Sequence, residues 1–264
     1  MGEASEKQRM EKAEQKYRQA RQARRADKIQ TPGGVWAYVR AFARTIALVQ
    51  DSRGDFNPRR NALKLYYSPG ACSLAPHIVL LESGHAFELE KVDIPNKKTA
   101  SGADYWQINP KGYVPALQLD NGEVLTEVST ILQYLADQKP ASGLVPAAGT
   151  MARYRLMEWL NFVATEVHKS VGALFNPQMT PEMKEVQKAY ITRRFNALDG
   201  MMAGKPYLAG DTFSVADAYL FNVLRWCGYH KIDLSPWPNI RAFVERVAAR
   251  PQVQAAMRAE GLLK

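Results

Sequence analysis

The sequence predicts a small α/β domain followed by an all-helical domain, with a basic segment ahead of both. Three observations carry this. Between Leu63 and Gly143, short β-prone and helical runs follow one another as strand, helix, strand, then strand, strand, helix. Every segment after Thr150 has helical periodicity. Of a net charge of +9 over 264 residues, +7 lies in residues 1–62, which hold 14 Lys/Arg against 7 Asp/Glu. Basic chains ordinarily suggest a nucleic-acid or anionic-surface partner. Here the body carries only +2, so no nucleic-acid partner is expected and membrane contact is expected only through residues 1–62.

That first segment divides in two. From Glu3 to Lys28 it is Lys, Arg, Glu, Gln and Ala with almost nothing apolar, which permits a solvated helix but gives it no face to bury. Thr31-Pro-Gly-Gly34 breaks the pattern. Val35, Val39, Phe42, Ile46 and Val49 then make one apolar stripe on a helix that also carries Arg40 and Arg44. Those arginines, and the lack of a small-residue cleavage site, argue against a secretory signal. Residues 51–62 read as a linker.

Leu63–Tyr67 is a short β-prone run. Ser68-Pro69-Gly70 turns it into an apolar helix from about Ser73 to Ser83, with Gly84 where helices commonly end. Phe87–Ile94 alternates as a second strand, and strand, helix, strand implies a right-handed crossover with parallel strands. Ala116–Asp120 and Glu123–Thr126 flank Asn121-Gly122, the signal of a two-residue hairpin. A helix from about Val128 to Asp137 follows, then a linker at Pro140–Pro146. This order describes a thioredoxin-like domain over 63–143. The helical domain, 149–264, has Pro181 as a first helical residue after Thr180. Ser214-Val-Ala-Asp217 is a capping box with Asp in the place of the usual Glu. No apolar run approaches the ~20 residues of a membrane span. Two cysteines make no disulfide framework and suggest a reducing compartment, so a cytoplasmic location is expected.

Cys72 is the most informative residue. It lies in the turn between the first strand and the first helix, where the helix N-terminus is expected to lower its thiol pKa. Positions 73–75 are Ser, Leu and Ala, so there is no Cys-x-x-Cys pair, and a monothiol is left to form a mixed disulfide or to hydrogen-bond through sulfur. The plain alternative is an inert buried cysteine. Val114-Pro115 precedes the hairpin. In thioredoxin-like folds this proline is cis and lets the preceding residue offer its backbone to an extended ligand, whereas an edge-strand proline is the ordinary reading. Glu127 and Val128 start the following helix and would suit a zwitterionic amino-acid end, although an acidic residue there also simply suits the helix dipole. Asn161, Thr165 and His168 fall at i, i+4 and i+7, one face of an α-helix with Lys169 adjacent. That face fits a wet cleft or plain solvent equally well. Four scattered histidines and two distant cysteines give no metal-ligand spacing, so no metal is expected.

With these residues in view, Leu63 to Lys264 resembles the bacterial beta-class glutathione transferases. The matching segments are Lys64-Leu-Tyr-Tyr-Ser-Pro-Gly-Ala-Cys-Ser-Leu-Ala75, Asn109-Pro-Lys-Gly-Tyr-Val-Pro-Ala116, Leu125-Thr-Glu127, Gln133-Tyr-Leu-Ala-Asp137, Glu158-Trp-Leu-Asn161, Thr165-Glu-Val-His-Lys169 and Phe213-Ser-Val-Ala-Asp-Ala-Tyr-Leu220.

The resemblance implies the glutathione transferase fold and a glutathione-conjugating activity on electrophilic hydrophobic compounds. Glutathione would be co-substrate, with its sulfur beside Cys72, its cysteinyl backbone on Val114, and its γ-glutamyl end on Glu127 and Val128. Its glycyl carboxylate would meet Lys97. Cys72 and His168 would be the catalytic pair. Asn161, Thr165, Glu166, Val167 and His168 would complete the cleft, partly across a homodimer.

Tyr67 stands where other transferase classes have used a tyrosine, and Arg225 and Trp226 would line the second-substrate pocket. Val128 departs from the serine or glycine common in the family. Disulfide exchange through Cys72, a glutathione-dependent reductase or dehalogenase, and a non-catalytic binding protein on the same fold are the competing functions. The family usually begins with Met at the position of Leu63, so residues 1–62 are expected to stem from an upstream start choice in the gene model. A true basic extension with an interfacial helix is the rival.

Overall fold

A computed structural model describes residues 63–263 of the chain; the helices, break and linker expected within residues 1–62 lie outside the described residues. All described residues belong to one compact unit, Pro58–Lys264.

Strand β1 (Leu63–Tyr67) lies at the centre of a five-stranded sheet whose order is β3 (Lys98–Thr99), β2 (Phe87–Asp93), β1, β4 (Ala116–Gln118) and β5 (Val124–Thr126). Its alternate residues face two layers, Leu65 into the main core and Tyr66 into a smaller one. Helix α1 (Leu74–Glu82) crosses over to β2 (Phe87–Asp93), which pairs parallel to β1 with Leu63 opposite Phe87. The two strands are therefore parallel, as expected. Every residue from Leu74 to Leu80 is buried, so α1 is a core helix with no solvent face. β3 (Lys98–Thr99) and the four-residue α2 (Tyr105–Ile108) were not legible in the polar stretch after Pro95. Asp104 caps α2 by accepting from the N–H of Trp106.

Strands β4 (Ala116–Gln118) and β5 (Val124–Thr126) are antiparallel, with Leu117 opposite Leu125. Their turn corrects the two-residue expectation. Leu119 N–H donates to Glu123 C=O at 2.8 Å, and Gly122, at φ 88°, closes a three-residue loop in the left-handed conformation. Helix α3 (Val128–Gln138) packs on α1 and buries Ile131, Leu132 and Leu135.

The helical half opens with α4 (Met151–Phe162), capped by the Thr150 side chain. It continues directly into a π-helical segment (Val163–His168), then α5 (Lys169–Gly172) and a 3₁₀ turn (Ala173–Phe175). Helix α6 (Pro181–Met202) begins where Thr180-Pro181 indicated. Helix α7 (Val215–Tyr229) is sealed in the middle of the molecule, packed against α1 and α3, with 12 of its 15 residues buried. Its capping box is formed: Asp217 accepts from the N–H of Ser214 and the N–H of Leu208, each at 2.8 Å. Helices α8 (Pro238–Ala248) and α9 (Pro251–Ala259) complete the fold, and α9 returns to pack on α1.

Candidate active site

The turn from β1 into α1 carries Cys72, and the turn is tied down by groups from the far end of the chain. Within it, Ala71 N–H donates to Ser68 C=O, and the Ser73 hydroxyl accepts from Ser68 N–H and donates to Ser68 C=O. Its remaining polar groups are met by the helical half. Gly70 N–H donates to Glu260 Oε2 at 2.9 Å, Trp226 Nε1–H to Gly70 C=O at 2.9 Å, and Asn222 Nδ2 to Ala71 C=O at 3.2 Å. Glu260 Oε1 meets His77 Nδ1 at 2.9 Å, both side chains buried. Gly70 has φ 72°, and a Cβ there would press to 3.3 Å from Leu262, two reasons for glycine at this position.

Cys72 Sγ donates to the carbonyl of Val114 at 3.1 Å, and the Val114–Pro115 bond is cis. Burial pushes the Cys72 thiol up to about 12, with the Glu127 carboxylate adding to the rise. This corrects the expectation of a lowered pKa. The backbone N–H groups of Cys72 and Ser73 and the charge of Lys169 do favour the thiolate, but desolvation outweighs them. Cys72 is therefore a protonated donor at neutral pH.

It opens onto a cleft of about 990 Å³ between the two halves. Of the residues expected in the site, Cys72, Val114, Glu127, Val128 and His168 line this cleft together. Glu127, at φ 72°, precedes the first turn of α3, and its carboxylate is held by Lys111 Nζ at 2.6 Å. His168 Nδ1 lies 2.6 Å from the Tyr219 hydroxyl, and its ring makes an edge contact with Trp226 at 5.0 Å. Burial and neighbouring Lys169 pull the His168 imidazole down to about 4, so it is neutral at pH 7.

The other expected site residues do not line the cleft. The π-helical turn breaks the i, i+4, i+7 rule on which a shared face rested. Asn161 and Thr165 are exposed, with the Thr165 hydroxyl donating to Asn161 C=O, while His168 turns inward. Glu166 pairs with Arg194 at 2.8 Å and accepts from the Tyr190 hydroxyl; Val167 is fully buried. Lys97 donates to Gly112 C=O at 2.7 Å, with its ammonium near the Trp106 and Tyr113 rings. Tyr67 packs against His77, away from the cleft lining. Trp226 holds the Cys72 turn, and Phe175 and Tyr229 continue its ring outward, with centroids 5.5 Å and 5.2 Å apart in sequence along the chain of contacts. Arg225 is not part of the cleft lining.

Tyr219 and Lys111 were missed as cleft residues. Tyr219, Asn222 and Trp226 sit at i, i+3 and i+7 of α7, all directed toward the Cys72 turn or His168, but in the sequence they merge into an apolar helix. Among the described residues, no group of three His, Cys, Asp or Glu could hold a metal ion, and no helix is long and apolar enough to cross a membrane.

Residues 70–138 match the family model of the glutathione S-transferase N-terminal domain, and residues 162–251 that of the C-terminal domain. The chain is 46% identical over 200 residues to glutathione S-transferase GstA of Escherichia coli O157:H7, covering 76% of this chain and all of the relative. Two solved structures each cover 76% of this chain and 100% of their own. One is a sphingomonad glutathione S-transferase complexed with glutathione, at 49% identity and TM-score 0.73. The other is a bacterial beta-class glutathione S-transferase of Sphingomonas chungbukensis, at 48% identity and TM-score 0.74. The fold, the cysteine turn and these likenesses agree: the chain belongs to the glutathione S-transferase family, in its bacterial beta class.

Proposed function

We propose that this protein binds glutathione across the cleft and transfers its thiolate to electrophilic hydrophobic compounds. The observation that carries the reading is the Cys72 thiol, donating to the Val114 carbonyl in a cleft shared with Glu127 and His168. The γ-glutamyl end fits the start of α3. Its ammonium would take the Glu127 carboxylate, and its carboxylate the N–H groups of the first helical turn, which have no partner within the helix. Lys111 now occupies Glu127, but an exposed ion pair is worth only about 0–1 kcal/mol, so an ammonium can displace it. At the other end, Lys97 would exchange Gly112 C=O for the glycyl carboxylate.

On binding, the cysteinyl N–H of glutathione would take over the Val114 carbonyl, and the Cys72 S–H so released would turn to the glutathione sulfur beside it. That bond, the N-terminus of α1 and the charge of Lys169 all favour the glutathione thiolate over the thiol. The thiolate attacks an electrophilic carbon, the leaving group departs with the bonding pair, and the thiol proton goes to solvent. Cys72, held protonated, suits this donor role better than that of a nucleophile in disulfide exchange. The electrophile would lie along Trp226, Phe175 and Tyr229.

The helix-α4 face supports a homodimer. Met151, Tyr154 and Met157 are exposed there at spacings of three, in line with Asn161 and Thr165. A second copy would cover that apolar stripe and let Asn161, Thr165 and Glu166 reach its cleft, while Val167 contributes only backbone. We assign residues 63–143 to the glutathione-binding domain, 149–264 to the helical domain, and the protein to the cytoplasm, where the free thiols of Cys72 and Cys227 are kept reduced.

The test compares turnover of an aryl halide and of a small disulfide by the full chain and by Cys72→Ala. Conjugation by the full chain, weakened in the variant, is expected. No turnover of either substrate by the full chain would leave a binding protein on the transferase fold. Turnover of the disulfide alone, abolished in Cys72→Ala, would replace transfer by redox chemistry.

A further inference from the structure

We propose that Tyr219 is a positioning residue that locks His168 as the neutral tautomer protonated on Nε2, so that His168 meets the cleft as a hydrogen-bond donor rather than as a base. The role given to the donor rests on the transferase reading, whereas the tautomer itself does not.

The geometry leaves little choice. The Tyr219 hydroxyl and His168 Nδ1 are 2.6 Å apart, a short hydrogen bond for which either atom could be the donor. Tyr219 is 3% exposed, and among the described residues its hydroxyl makes no other hydrogen bond. Were Nδ1–H the donor, the phenolic proton would have no acceptor among the described residues, and a donor left unpaired on a side chain so little exposed is disfavoured. Were the phenol the donor, both groups would be satisfied: the hydroxyl proton lies on the Nδ1 lone pair, and the single ring proton sits on Nε2.

The surroundings keep both groups in these states. Burial, together with the nearby Cys72 and Glu127, raises the Tyr219 phenol, which therefore retains its proton. The His168 ring has burial and Lys169 opposing its protonation and only Glu127 favouring it. Edge contacts with Tyr219 at 5.6 Å and Trp226 at 5.0 Å fix the plane of the imidazole. Nε2 has no partner among the described residues, and its ring lines the same cleft as Cys72. His168 Nε2–H, joined by Cys72 S–H once a ligand takes over the Val114 carbonyl, thus offers the cleft neutral donors, an arrangement suited to a sulfur anion or a departing halide.

The experiment is nitrogen NMR of the full chain labelled with ¹⁵N-histidine, with His168→Gln assigning the His168 signals. Long-range proton–nitrogen correlations distinguish a protonated ring nitrogen from an unprotonated one. A single Nε2–H species is expected in the wild type at neutral pH. In Tyr219→Phe, which keeps the ring packing and removes only the hydroxyl, Nδ1–H should become detectable as the preference falls roughly tenfold. The same variant should lose kcat for an aryl halide without a matching change in the KM for glutathione. A His168 protonated on Nδ1 in the wild type would overturn the proposal and leave Tyr219 as the group with the free proton. An unchanged tautomer in Tyr219→Phe would overturn the lock. The wild-type spectrum decides the first point even if that variant does not fold, and neither spectrum depends on turnover.

Discussion

Glu260 is the residue whose removal should couple stability to the cysteine turn. Its carboxylate is fully buried at the end of α9, with Oε2 on Gly70 N–H and Oε1 on His77 Nδ1, each at 2.9 Å. Glu260→Ala strands both partners. Leaving a buried donor without its acceptor costs about 1–3 kcal/mol, so the two stranded here should cost about 2–6 kcal/mol together. Against a total stability of about 5–15 kcal/mol, that is a large fraction. Glu260→Gln keeps an acceptor for Gly70 and should cost about 1–2 kcal/mol.

Arg250 provides the control. It reaches from the N-cap of α9 to Glu82 through two bonds of 2.8 Å, so Arg250→Ala also loosens the docking of α9 on α1 without touching the Cys72 turn. Urea unfolding measures the stability of each variant. The rate at which an aromatic disulfide modifies Cys72 reports the turn, because Cys227 is fully buried. Glu260→Ala should be destabilised and should react faster at Cys72, whereas Arg250→Ala should be destabilised with an unchanged rate. A Glu260→Ala protein within about 0.5 kcal/mol of wild type would refute the reasoning. So would equal acceleration in both variants, since the effect would then be general loosening.

Three further outcomes follow from the geometry. Asp217→Ala removes the acceptor for Ser214 N–H, Ser214 Oγ and Leu208 N–H in a fully buried site, and should lower stability by about 2–4 kcal/mol in a urea titration. Gly112→Ala combines φ 68° with a Cβ placed 2.6 Å from the Trp106 ring, so it should displace Trp106, shift its fluorescence and raise the KM for glutathione through Lys97. The pH dependence of stability should show two opposed contributions. His168, held at about 4 against 6.5, resists a proton that the unfolded chain accepts, so it removes up to about 3 kcal/mol as pH falls from 6.5 toward 4. Asp217, raised to about 6 against 3.8, binds a proton that the unfolded chain releases, and adds a similar amount as pH falls from 6 toward 3.8. Urea midpoints across this range should therefore be less acid-sensitive in His168→Gln than in wild type, and identical slopes would remove His168 from the account.

The sequence carried most of the fold because its signals are local. A β-prone run ended by Ser68-Pro69-Gly70, a capping box at Ser214 and a proline after Thr180 each act within a few residues, and the structure has an element boundary at each. Local signals mislead where the backbone departs from the regular period. Helix α4 passes into a π-turn at Val163, so the face that Asn161, Thr165 and His168 would share on an α-helix is divided between solvent and cleft. They mislead again where the outcome depends on burial. Cys72 stands at a helix N-terminus, as expected, yet the cost of desolvating a thiolate there exceeds what two N–H groups return.

The same distinction explains which functional residues stayed hidden. Cys72, Val114 and Glu127 belong to turns and caps whose local sequence is unusual. Tyr219, Asn222, Trp226 and Glu260 belong to helices whose sequence looks like ordinary core, and they reach the site only because α7 and α9 pack on α1. Yet those residues, all from the helical half, satisfy both polar groups of Gly70, the carbonyl of Ala71 and Nδ1 of His168. The thioredoxin-like half supplies the thiol and its Val114 acceptor but cannot satisfy its own cysteine turn. The contacts of Glu260, Asn222 and Trp226 with Gly70 and Ala71 are therefore a condition for the Cys72 geometry, and a substitution that removes one of them should act on the active site before it acts on the fold, whereas one that loosens α9 elsewhere, such as Arg250→Ala, should act on the fold alone.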